Sequence, residues 1–320
     1  MNQSQAETAD QIAAADEAKL GTDWRDGVPI SLRFDDPYYS LAGGLAETQH
    51  VFLTGNDLPA RFKDGLRIAE LGFGTGLNLL TTILAWQAAG TEGRFRFTSF
   101  EAFPLPSADL ARALAAFPAV AELTPAFLAA WQQVDALEIE NAASPELAGQ
   151  GGLNRAAASA QGAVKVGPSS GQGAEEGAGN ASGPSALASA EASPVVGEQG
   201  RAETSPGAPE GTPVRVVTFA LGPADVELIL GDARQVLPFW QGRADAWYLD
   251  GFSPARNPEL WGEDLLAEVA RHSAPGASFA TYTAAGHVRR ALEAVGFDVH
   301  RSPGYGRKRH MSHGRLKDLT

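Results

Sequence analysis

The stretch from residue 66 to residue 88 constrains this chain more than any other. Residues 66–71 are a short apolar run with the length and flanks of a buried strand. Glycines follow at 72, 74 and 76, and residues 77–88 carry a helical pattern. A strand that passes through a glycine-rich turn into a helix opens a β-α unit, and later segments repeat it. Residues 95–100 alternate as a strand, and 107–117 and 125–137 read as helices, with Pro125 suited to a first turn. Residues 214–219 and 226–230 flank Gly222-Pro223 and read as a hairpin or strand pair. Then come a strand at 246–249, a helix at 258–271, a strand at 277–282, a helix at 284–295 and a strand at 297–300. The predicted class is α/β, a mainly parallel sheet with helices on both faces. Such sheets bind ligands at the carboxyl ends of their strands. Chemistry is therefore expected just after Leu71, Phe100, Leu230 and Leu249.

One segment lies apart from this pattern. From 141 to 212, 46 of 72 residues are Ala, Gly, Ser or Pro, and none is Phe, Trp or Tyr. Such a composition buries too little apolar surface to offset the entropy of ordering. It is expected to be a disordered insertion in a single domain spanning 24–320, preceded by a disordered segment at 1–23. Long insertions cost little loop-closure entropy, so the fold can carry it.

Composition narrows the chemistry. The 320 residues include no cysteine. Disulfides, Cys-ligated zinc, iron–sulfur clusters and thiolate nucleophiles are excluded. So is a base-modifying enzyme that adds a Cys to a pyrimidine ring. A net charge of −13 argues against general coating of nucleic acid, though not against a local basic patch. The first 23 residues lack a basic leader and an apolar stretch, and no run approaches the roughly 18 apolar residues of a membrane helix. A cytoplasmic protein with no membrane partner is the expectation. The six histidines show no metal spacing, so no metal is expected.

The strand ends hold the candidates. Gly72, Gly74 and Gly76 allow close backbone approach to a ligand. A dinucleotide fingerprint wants its third glycine at 77, where this chain has Leu. Alternate glycines after an acid, Glu70, suit S-adenosylmethionine better, although a plain tight turn accounts for the same residues. Glu101, ending the next strand, can accept both ribose hydroxyls, a feature shared with nicotinamide dinucleotides. Asp232 can accept from an adenine amino group or simply cap a helix. The run Asp250-Gly251-Phe252-Ser253-Pro254-Ala255-Arg256-Asn257 is the most unusual. Amino-methylating enzymes put an acidic or amide residue, a Pro and an aromatic here, the polar group aligning the amine and the ring packing a flat base. Finally, residues 289–320 hold 8 of the 25 basic residues, among them Arg307, Lys308 and Arg309, a possible grip on phosphates or a solvated edge.

Together these residues resemble a known family. The segments Arg33-Phe34-Asp35-Asp36-Pro37-Tyr38-Tyr39-Ser40 and Glu47-Thr48-Gln49-His50-Val51-Phe52-Leu53, the 72–78 loop, Ser99-Phe100-Glu101, the 245–261 block and the 304–309 block carry the likeness. The chain is similar to the methyltransferase domain of the bifunctional tRNA wobble-uridine modification enzymes of MnmC type. That resemblance implies a Rossmann-like S-adenosylmethionine-dependent fold. It also implies methyl transfer to the exocyclic amine of 5-aminomethyl-(2-thio)uridine in the tRNA anticodon stem-loop. By motif position it assigns Glu70, Gly72, Gly74, Gly76, Asn78, Glu101 and Asp232 to the cofactor and Asp250 to the amine. Phe252, Pro254, Asn257, Arg307, Lys308 and Arg309 go to the substrate. The chain ends at Thr320, so the flavin-dependent step of the bifunctional enzymes is expected to be absent, with a separate enzyme supplying the aminomethyl substrate. The competing reading is a small-molecule or protein N-methyltransferase on the same fold. A scaffold without catalysis is disfavoured by the intact 250–254 block.

Overall fold

A computed structural model describes residues 21–40, 43–143 and 215–317. The expected disordered segments at 1–23 and 141–212 lie almost wholly outside those residues. At their edges a strand begins at Thr22 and a helix continues to Ala143.

The chain opens with β1 (Thr22–Arg25), β2 (Val28–Ser31) and β3 (Asp36–Pro37), an antiparallel meander. Next is α1 (Gly44–Thr48), which runs into a π-helical turn at Gln49–Thr54. The main body follows as β4 (Leu66–Leu71), α2 (Leu77–Ala88), β5 (Phe95–Glu101), α3 (Ser107–Leu114) and α4 (Thr124–Ala143). It continues with β6 (Arg215–Leu221), β7 (Ala224–Leu230), α5 (Ala233–Val236) and β8 (Ala244–Leu249). The last elements are α6 (Glu263–Arg271), β9 (Ser273–Thr281), α7 (Gly286–Ala294), β10 (Phe297–Pro303) and β11 (His310–Leu316).

Eight strands form one sheet in the order β10-β11-β9-β8-β4-β5-β7-β6. Five consecutive strands of the sheet, β9, β8, β4, β5 and β7, run parallel. The edges are antiparallel: β6 hairpins back on β7, and β11 pairs with both β9 and β10. The chain leaves β4 toward β5 and β7, then returns to β8 on the other flank of β4. Strand order reverses beside β4, and a crevice opens there at the carboxyl ends of the strands.

Strand alternation sorts the core into two faces. On β4 and β8, Ile68, Ala246 and Tyr248 face Leu79, Ile83 and Trp86 of α2, with Phe127 and Trp131 of α4 in the same cluster. Ala69, Leu71, Trp247 and Leu249 face Val236 of α5, Leu265 and Val269 of α6, and Val288 and Leu292 of α7. Helices on both faces of a mainly parallel sheet are the expected class, and 66–71 and 77–88 have the expected bounds.

Within the main body, two segments differ most from expectation. The single helix expected over 258–271 is two elements, a 3₁₀ turn at Pro258–Trp261 and then α6. Gly262 is extended between them (φ −69°, ψ 151°), while the buried Trp261 ring turns inward and its Nε1 donates to the Phe252 carbonyl at 2.9 Å. The second is β11, unmarked in sequence because His310-Met311-Ser312-His313-Gly314-Arg315-Leu316 has no apolar alternation. It is inserted between β9 and β10 all the same.

The π-helical turn is fastened to the sheet by a buried polar side chain. Asn56 Nδ2 donates to the carbonyls of Phe52 (3.0 Å) and Trp247 (3.2 Å), and its Oδ1 accepts from Ser278 Oγ at 2.6 Å. We predict that Asn56→Ala costs about 2–4 kcal/mol, because two carbonyls and a hydroxyl lose a buried partner. Equilibrium urea unfolding checks this; an unchanged midpoint would mean that water replaces the amide without penalty.

Candidate active site

A cavity of about 600 Å³ lies over the carboxyl ends of β4, β5 and β8, within the range of small-molecule sites. Its floor follows from strand parity. Glu70 shares a face with Ile68, and Asp250, just past β8, continues the face of Tyr248. Both carboxylates therefore turn toward α2. Asn78, in the first turn of α2, meets them both.

The Asn78 amide nitrogen donates to Glu70 Oε1 and to Asp250 Oδ2, each at 2.8 Å. Its oxygen accepts from Thr48 Oγ1 of α1 at 2.9 Å. Ser99 Oγ donates to the other Glu70 oxygen at 2.7 Å, and the Gly251 N–H donates to Asp250 Oδ1 at 2.8 Å. Both acids are held above the usual carboxylate range. Burial is the main cause for Glu70, which is fully enclosed. Burial also pushes Asp250 up to about 6, against the opposing pull of the Gly251 and Asn78 hydrogen bonds and the Lys308 charge.

The glycine loop forms one wall. Gly72 and Gly74 both have positive φ (82° and 55°), which side-chain-bearing residues rarely adopt. A Cβ on Gly72 would press on the Gly251 backbone at 3.3 Å, and one on Gly74 would reach the Tyr38 ring at 3.4 Å. Glu101 closes this wall at the end of β5. Its Oε2 accepts from the Gly74 N–H at 3.0 Å and its Oε1 from the Phe103 N–H at 2.7 Å. Burial raises its proton affinity, and these backbone donors oppose the rise. At the far end, Asp232 caps α5 through the Arg234 N–H at 2.9 Å, and the Arg234 guanidinium chelates both of its oxygens. Its helix-cap reading is realised, and it still borders the cavity.

The opposite wall comes from the amino-terminal meander. Phe34 stacks on Phe252 with ring centroids 4.6 Å apart, and Tyr38 meets the same ring edge-on at 5.1 Å. Asp36 Oδ2 accepts from the Ser253 N–H at 2.8 Å. Tyr282 at the end of β9 donates its hydroxyl to the Gly251 carbonyl at 2.7 Å. The 250–253 loop is thus held from both sides.

Of the residues expected from sequence, Gly72, Gly74, Asn78, Glu101, Asp232, Asp250, Phe252, Asn257, Arg307 and Lys308 border this cavity. Four do not. Glu70 lies beneath the floor, with both oxygens engaged by Asn78 and Ser99. Gly76 packs under the loop, where a Cβ would come within 2.9 Å of the Phe127 ring. Pro254 and Arg309 border a shallower neighbouring depression with Thr283 and His310. Sequence reasoning gave no individual role to Phe34, Asp36, Tyr38, Glu47, Thr48, Phe103, Tyr282 or Tyr305, which also line the cavity. The only signal for most of them was membership of the 33–40 and 47–53 segments. Among the described residues no group of three or more His, Asp or Glu is arranged to hold a metal, and no helix is long and apolar enough to cross a membrane.

A family model described as S-adenosyl-L-methionine-dependent methyltransferase matches residues 209–317. The tRNA 5-methylaminomethyl-2-thiouridine biosynthesis bifunctional protein MnmC of Chromobacterium violaceum is 36% identical over 297 residues, 91% of this chain and 34% of that protein. The protein of the same name from Pseudomonas aeruginosa is 37% identical over 302 residues, again 91% of this chain and 34% of the relative. The chain thus spans about a third of the length of these relatives. The crystal structure of MNMC2 from Aquifex aeolicus shares the fold, with a TM-score of 0.52 at 21% identity, covering 94% of this chain and 72% of that one. The chain is similar to the S-adenosyl-L-methionine-dependent methyltransferases over residues 209–317 and to the MnmC proteins over about a third of their length.

Proposed function

We propose that this chain methylates the exocyclic amine of a 5-aminomethyl-(2-thio)uridine at the tRNA wobble position, using S-adenosylmethionine. The observation that carries the reading is Asp250, a buried carboxyl on the floor of the cavity, raised to about 6, beside the Phe252 ring. The residues suit the cofactor. Gly72 and Gly74 leave a backbone cradle that side chains would fill, and Glu101 borders it with a carboxylate fixed by two N–H groups. Glu101 would take the ribose hydroxyls and Asp232, with Arg234, would flank the adenine. When bound, the cofactor supplies a sulfonium methyl group reactive enough to need neither metal nor flavin.

The chain's own task is to present a neutral amine in a water-excluding site. An alkylamine with a pKa near that of Lys, about 10.4, is neutral in only about four molecules in ten thousand at pH 7. Asp250 would orient the ammonium and accept its proton. Raising its carboxyl from 3.8 to about 6 lowers the uphill cost of that transfer by about 3 kcal/mol. Asn78 and Gly251 hold the two Asp250 oxygens while leaving lone pairs for the substrate. Phe34 and Phe252 offer a ring surface for the flat base, with Asn257, Arg307 and Lys308 at the rim. Pro254 and Arg309, outside the cavity, would meet the flanking anticodon stem-loop. On this reading the enzyme works in the cytoplasm, and an earlier reaction must generate the aminomethyl group.

Four outcomes are expected. Asp250→Ala lowers the single-turnover rate on hypomodified tRNA by about 10²–10⁴ with cofactor affinity nearly unchanged, as for a lost proton acceptor. If Asp250→Ala instead simply loses cofactor, Asp250 is a binding residue. In the wild type the rate should fall as pH drops through about 6, where Asp250 takes up a proton. That limb should vanish in Asp250→Ala, and higher pH should partly rescue the variant by freeing the amine. Calorimetry should show Gly74→Val abolishing cofactor binding and Glu101→Ala weakening it; unchanged affinity would remove both residues from the cofactor site. Steep loss of activity with salt is expected for a tRNA substrate, whereas a flat response would favour a small-molecule substrate.

A further inference from the structure

Lys308 makes an unusual contact for a residue on a basic surface loop. Its Nζ lies 2.7 Å from Glu47 Oε1 and 3.9 Å from the centroid of the Tyr282 ring. All three residues border the cavity, together with Asp250. Glu47 is on α1 and buried, immediately before the Thr48 that anchors Asn78. Its acid is therefore fixed to the same framework as Asp250. The Tyr282 ring is fixed too, because its hydroxyl donates to the Gly251 carbonyl. The charges of Lys308 and Glu47 both act on Asp250, with opposite sign, so the three groups share one electrostatic neighbourhood. A lysine side chain ends in a primary alkylammonium. This corner of the cavity is demonstrably complementary to that group: a buried carboxylate on one side, an aromatic face on another, a second buried acid close by.

We propose that Glu47, the Tyr282 ring face and Asp250 form a subsite for the substrate's protonated aminomethyl group, and that Lys308 occupies it until substrate displaces it. The inference rests on the reading of the substrate as an alkylamine and adds residues that recognise it. Glu47 is then a specificity residue. Facing a neutral hydroxymethyl group in place of the ammonium, its carboxylate lacks a matching charge, and Lys308 keeps its place.

The test compares two anticodon stem-loop RNAs of identical sequence, one with 5-aminomethyluridine and one with 5-hydroxymethyluridine at the wobble position. Phosphate contacts cancel in the ratio of their dissociation constants, leaving recognition of the amine. The wild type should prefer the amine by about tenfold or more. Glu47→Gln, which keeps the shape and removes the charge, should lower the ratio by about threefold or more. Lys308→Met should raise the ratio by about threefold or more, because the competing cation is gone. An unchanged ratio in Glu47→Gln, or a reduced one in Lys308→Met, would overturn the proposal. Methyl transfer to the aminomethyl RNA, measured separately, tells the two ideas apart. Transfer without amine preference defeats the subsite alone. Preference without transfer defeats the proposed reaction and leaves the subsite standing.

Discussion

The architecture of the cavity depends on one side-chain amide. Asn78 donates to two buried carboxyl groups that would otherwise repel each other across the floor, and it accepts from Thr48 as well. Three chain segments that are distant in sequence meet through it: β4 through Glu70, the loop after β8 through Asp250, and α1 through Thr48. An amide suits this junction because it carries two N–H donors and an acceptor without a charge of its own. A lysine there would neutralise the acids, and an aspartate would add a third negative charge. Only a neutral donor leaves Asp250 both oriented and elevated in proton affinity. That elevation is costly, since an ionised carboxyl in a buried site opposes folding. Gly251 and Asn78 offset part of it through hydrogen bonds.

Around this floor the walls are built from elements of quite different kinds. The glycine loop and Glu101 belong to the regular β-α body, fixed by sheet register. The opposite wall is the small meander, with the turns beside it, and α1, which carry Phe34, Asp36, Tyr38 and Glu47. That segment is tied down at a few points: Asn56 to β8 and β9, Asp36 to the Ser253 N–H, and Phe34 on the Phe252 ring. The division has a chemical logic. The body holds groups suited to an invariant cofactor, while the added segment shapes the space beside Asp250, where a substrate must be discriminated.

How much of this was legible in the chain varies with length and period. The strand at 66–71 and the helix at 77–88 were read with the observed bounds, because an apolar run and glycine punctuation mark both ends. Asp250, Glu101 and the Gly72–Gly74 turn follow from strand ends alone. The meander was not legible, since strands of two to four residues carry no measurable alternation. Glu47 was invisible as a site residue for a related reason: an acid in a five-residue helix looks like any solvated acid. Glu70 was placed at the ligand because it ends a strand next to glycines. Parity and burial, which sequence does not display, turn it under α2 instead. Lys308 read as one of three phosphate-seeking cations, and only the fold brings it to Glu47 and Tyr282.

The central claim is that the buried acid at the end of β8 serves transfer of a methyl group to the wobble amine of tRNA. Incubation of the protein with methyl-labelled S-adenosylmethionine and tRNA that lacks this modification, followed by nucleoside analysis, tests it most directly. The account predicts that the label appears in 5-methylaminomethyl-uridine or its 2-thio form, in one nucleoside per acceptor tRNA. Label on a ring carbon, on another nucleoside, or only on small molecules added in competition would contradict it.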